Sequence, residues 1–172
     1  MTLQQFCTNL PEDKRTQLAI TLAKLTLPVW NNFADKHKLS YRDSIVGLKH
    51  PVDRNLLENS INEIETSCFK TTNRLLELYN SFIDPIVALQ DDDWVLPNPV
   101  QKTFYSVYNL LESVIGKEQA VSEDSVIYVS INQAVDALET SKTLTEDEIK
   151  KYLLNSDQLI DFDGFIKNII SL

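Results

Sequence analysis

Three glycines in 172 residues, Gly47, Gly116 and Gly164, constrain this chain more than any other feature. Tight hairpins and phosphate-cradling loops need positive φ or close backbone approach, and glycine supplies both most readily. A chain this poor in glycine, with prolines near the ends of its apolar segments, predicts helices.

The periodicities agree. "NLPEDKRTQLAITLAKL" opens with Asn9 as a cap, Pro11 in the first turn, and Glu12 and Asp13 at the positive end of the dipole. Leu18, Leu22 and Leu25 form its stripe. Pro28 is expected to break or kink it, leaving "PVWNNFADKHK" as a second short helix. Ser40 and Asp43 read as a capping box opening a third, "SYRDSIVGLKH". From Pro51, "PVDRNLLENSINEIETSCFK" places Leu57, Ile61, Ile64 and Cys68 on one face. "TTNRLLELYNSFIDP" follows, with Asp84-Pro85 as its interruption.

"LQDDDWVLPNPVQ" is the longest polar, proline-containing stretch and reads as the main loop, about 90–98. Asn98-Pro99 starts the next helix and Gly116 closes it. Residues 122–139 are ambiguous. Val126, Ile127, Val129 and Ile131 are β-branched and suit a strand, whereas Ser122 as a cap and Ile127, Ile131, Ala134, Val135 and Leu138 at helical spacing favour a helix. Thr145 and Glu148 form a further capping box. The expectation is an all-α fold: one domain over 1–172, an irregular bundle of about eight helices.

Residues 10–39, "LPEDKRTQLAITLAKLTLPVWNNFADKHKL", resemble the start of an uncharacterised bacterial all-helical family, the YjaG-like proteins. Gln17, Ala19, Leu27, Pro28 and Phe33 match its pattern, while Leu25-Thr26 stands where a Glu-Arg pair belongs. The resemblance implies a helical bundle and brings no activity with it.

Charge is lopsided. Residues 1–90 carry ten acids and ten Lys/Arg, and residues 91–172 carry fifteen acids against six Lys, so the second half holds the whole net charge of −9. Phosphate backbones and anionic lipid demand Lys/Arg clusters, which argues against nucleic-acid or membrane binding. No apolar run reaches the roughly 18 residues of a membrane span. Nothing at the N-terminus reads as a signal peptide, and two cysteines, Cys7 and Cys68, make no disulfide framework, so a cytoplasmic setting with reduced thiols is expected.

Candidate chemistry is thin. "LLNSDQLIDFDGFIKN" has the outline of a calcium-binding loop between helices. With Gly164 seated at the sixth loop position, Asp161 and Asp163 take ligand positions, but both ends of the cage are hydrocarbon, Leu159 and Ile170. Aligned on Ile160 instead, the loop ends are Leu153 and Gly164. Each register loses the closing ligand, so no calcium is expected. His37 and His50, with Asp35 and Asp43 in reach, lack any metal-ligand spacing and read as surface or helix-end histidines. Cys7 lacks an adjacent base, and no Walker, Rossmann or nucleophile-elbow motif occurs. No cofactor, catalytic or metal residue is therefore assigned.

What remains is "QDDDWV". Asp91, Asp92 and Asp93 beside Trp94 read first as a solvated loop with Trp94 anchoring it to the core, and they are the candidate partner-binding spot if the chain has one. The functional expectation is a non-catalytic module that meets a basic protein partner, as an immunity or antitoxin-type protein would. The alternative is an enzyme whose His and carboxylates converge only in space.

Overall fold

The computed structural model describes residues 7–116 and 123–141. A helical turn at 7–9 precedes α1 (Glu12–Lys36), the strands β1 (Ser40–Arg42) and β2 (Lys49–Pro51), α2 (Leu56–Thr66), α3 (Asn73–Gln90), α4 (Asn98–Gly116) and α5 (Glu123–Ser141). The fold is mostly helical, with six helices among the described residues rather than about eight. The loop outlined by residues 153–168 and the capping box at Thr145 and Glu148 lie outside them.

Two expected breaks are absent because the prolines are absorbed. Pro28 sits inside α1 and Pro85 inside α3. A helical proline removes one N–H and crowds the carbonyl four residues back. At Pro28 that carbonyl belongs to Lys24, on the solvent side, while Leu25, Val29 and Trp30 beside it are buried. Burial of those side chains outweighs a cost of about 3 kcal/mol. At Pro85 the affected carbonyl is that of exposed Ser81, and the proline ring itself is buried.

The third expected helix is a β-hairpin instead, pairing Ser40 with Pro51, Tyr41 with His50 and Arg42 with Lys49. Asp43 decides this. Its Oδ1 accepts from the backbone N–H of Ile45 (2.7 Å) and Val46 (3.1 Å), and its carbonyl accepts from Gly47 N–H (2.8 Å). A carboxylate that satisfies the donors ahead of it offers the backbone an alternative to the helix. Gly47, at φ +71°, then turns the chain back.

α2 begins at Leu56 rather than at Pro51, because Asp53 folds the preceding turn by accepting from Asn55 N–H at 2.9 Å. It ends at Thr66, where Cys68 (φ 53°) and Phe69 (φ 66°) turn left-handed and Phe69 N–H closes onto the Ile64 carbonyl at 3.1 Å. Cys68 is therefore exposed, not on the buried face expected of it. Thr72 caps α3, accepting from Leu75 N–H (3.0 Å) while donating to Glu63 Oε1 (2.9 Å). The ambiguous segment is helical, and Ile127, Ile131, Ala134, Val135 and Leu138 are all buried.

One hydrophobic cluster runs from Cys7 to Leu138. Its main layer is α1, α4 and α5, where the small residues Ser106, Ser130 and Ala134 let helices approach, and Ser130 Oγ donates to the Ser106 carbonyl at 2.8 Å. α2 and α3 close the other side. Among the described residues, no helix is long and apolar enough to cross a membrane.

Candidate functional site

The loop after α3 joins the hairpin to the core. Asp91 N–H bonds to the Val87 carbonyl at 2.9 Å, Asp92 turns left-handed at φ 59°, and Trp94 N–H bonds to the Ala88 carbonyl at 3.0 Å. This reversal drives Trp94 inward. Only 6% of it is exposed, and its ring meets the edge of Phe104 at 5.5 Å and of Trp30 at 6.5 Å. Of the two roles open to Trp94, the structure shows the core anchor. Tyr41 of the hairpin packs on the same ring at 6.1 Å, and Asp93 Oδ2 accepts from Ser44 N–H at 3.1 Å. Ring contact and carboxylate together hold the hairpin turn against the acidic loop.

That clasp lifts three apolar residues into water. Ile45 is 91% exposed, Val46 63% and Leu48 60%. Val95, just past Trp94, is 77% exposed. A cluster of exposed aliphatic side chains among carboxylates is unlike the scattered apolar residues of an ordinary surface. Reading the sequence alone misses Ile45, Val46 and Leu48. The signal was there: an Asp followed four residues later by Gly, with an apolar pair between them that a tight turn must expose.

Beside the tip lies a groove between the hairpin and α3. It consists of two cavities of about 250 and 470 Å³ that share Tyr41, His50 and Asp84 in their walls. Asp43, Asp91 and Asp93 line the first cavity, and Asp53 the second. The Tyr41 hydroxyl is held above its usual range by burial, then by the fields of Asp84 and Asp43. The Asp43 carboxyl is held below its usual range by the N–H groups of Val46 and Ile45 and, more weakly, by His50.

Of the other candidates, His50 and Asp43 meet Asp91 and Asp93 in the wall of the first cavity, while His37 and Asp35 line neither cavity. His37 caps α1 and stacks on Phe33 at 4.4 Å, whereas His50 stacks on Tyr41 at 5.2 Å. Asp35 is paired with Arg54 at 2.7 Å and Asp43 is committed to its turn. Among the described residues, no group of three or more His, Cys, Asp or Glu is placed to hold a metal ion. Cys7 is buried, and burial pushes its thiol up to about 11 against a partial offset by Arg15, the reverse of what activates a nucleophile.

The groove and tip thus offer carboxylates, an aromatic stack and exposed aliphatic groups. That chemistry attracts cations and apolar surface. No known protein family, curated protein or solved structure matches this chain.

Proposed function

We propose that this chain is a protein-interaction module, acidic and non-catalytic, whose contact face is the hairpin tip and the neighbouring 91–93 loop. Its partner carries Lys/Arg around an apolar socket. One observation carries the reading: Ile45 stands 91% exposed on a turn clasped to Asp93 and shares a cavity wall with Asp43 and Asp91. The carboxylates beside the tip steer a basic partner in. The aliphatic tip then loses its water on contact, at roughly 25 cal/mol per Å² of apolar area buried. An immunity or antitoxin role, covering a basic toxin in the cytoplasm, fits the size and the net charge of −9.

The test is capture from the extract of the source cells at low and high salt, with the unaltered chain, Ile45→Ser, and an Asp91→Asn/Asp92→Asn/Asp93→Asn variant. A partner held at low salt, released at high salt, and missed by both variants supports the reading. Capture indifferent to salt and to both variants overturns it.

A further inference from the structure

Building on the interaction reading above, we propose that the groove between α3 and the hairpin seats an extended Lys/Arg-containing segment of the partner. One of its cationic side chains enters between the Asp84 carboxylate and the Tyr41–His50 ring stack.

The shape argues for an extended chain. The cavities follow α3 from Arg74 to Asp91, roughly 26 Å at the helical rise. An extended chain rising about 3.3 Å per residue covers the distance in about eight residues, and alternate side chains face in. Val52, Leu56, Leu78 and Ala88 stand in the groove's inner wall while almost wholly buried, so no loose side chain there has to be displaced.

The charge argues for cations. Asp43, Asp53, Asp84, Asp91 and Asp93 line the groove, and none is in an ion pair among the described residues. Arg74, at the far end, is engaged by Glu77 at 3.0 Å. The hairpin sorts its own charges the same way. Tyr41 and His50 form the cross-strand pair that faces the groove, and strand alternation sends the adjacent exposed pair, Arg42 and Lys49, to the opposite face. A Lys or Arg side chain entering here finds an aromatic wall for its stem and carboxylates for its head.

The direct test is a chemical-shift titration of the full-length ¹⁵N-labelled chain. The probe is an acetylated, amidated octapeptide alternating Lys/Arg with Val, and its control carries Glu at the basic positions. Saturable shifts at 41–53 and 74–93, a tenfold or greater loss of affinity in Asp84→Asn, and no binding of the Glu peptide are expected. Asp84 is exposed, so that variant keeps its fold. Absence of binding at millimolar peptide, or shifts confined to other faces, overturns the proposal. Binding unchanged in Asp84→Asn but lost in Ile45→Ser also overturns it, and leaves the interaction reading standing. Failure of the salt-dependent capture is what brings that reading down.

Discussion

The α1–α4–α5 layer and the hairpin–α3 side place their apolar residues in opposite ways. In the first, Trp30, Phe104, Leu110, Leu111 and Ile131 are fully enclosed, and even the polar Ser130 finds a carbonyl to bond. On the second, Val87 is 48% exposed and the tip residues more so, while the carboxylates lining the groove form no ion pair among the described residues. One side is held by long-range packing. On the other, the hairpin is held by local devices, an Asx turn and a two-stranded ladder, with Trp94 as its stake in the core, while α3 keeps Leu75, Leu78 and Phe82 buried. The difference teaches that stability and recognition are separable here. Changes to the enclosed layer should unfold the molecule, and changes to the open side should spare the fold.

The largest expected effect comes from Trp30→Ala. It removes the ring against which Trp94 and Phe104 pack and orphans the Arg54 carbonyl that now accepts from Nε1 at 2.8 Å. A loss of about 3–5 kcal/mol in urea unfolding is expected. A loss below about 1 kcal/mol would mean that this layer does not carry the fold.

Next is Thr72→Ala, which deprives Leu75 N–H of its cap and Glu63 of a donor. About 1 kcal/mol is expected, read from the same unfolding curves. A null result would show that α3 is fixed by its packing alone.

Acid provides a smaller and more local probe. The folded Asp43 carboxyl titrates below its ordinary value, so its contribution is present above that ordinary value and is lost as pH falls through the depressed one. Amide exchange of Ile45 and Val46, corrected for intrinsic rates, should therefore quicken as pH drops below about 4. Asp43→Asn should shrink that dependence. Alkali acts in the opposite sense at Tyr41, whose raised pKa adds stability below its ordinary value of 10.0 that is lost as the pH rises above it.

The smallest effect on stability belongs to Ile45→Ser, within about 0.5 kcal/mol, because the side chain is already in water. Its effect on partner capture should be complete. A large destabilisation would show that the tip packs somewhere, and the contrast between the two sides would fail.

Much of this was legible in the residues. The stripes of α4 and α5 announced themselves because a period of 3.6 residues survives any tertiary context, and the β-branched run at 126–131 yielded to it. Trp94 beside three acids was legible as an anchor because a large ring seldom stays in water. The prolines were misleading, since whether a lost hydrogen bond faces solvent depends on neighbours such as Leu25 and Trp30 that only the fold supplies. Ser40 and Asp43 misled for another reason. The spacing of a capping box is also that of a turn, and in the fold the Asp43 carboxylate serves the Ile45 and Val46 N–H groups ahead of it. The groove could not be read at all, because Asp84 meets the Tyr41–His50 pair from an element far from the hairpin in the chain.

Hydrogen–deuterium exchange of the intact chain, with and without the basic octapeptide, tests the division between the two sides most directly. Added protection is expected in residues 39–53 and 74–95, with α4 and α5 unchanged. Protection spread over α4 and α5, or none anywhere at saturating peptide, would contradict it.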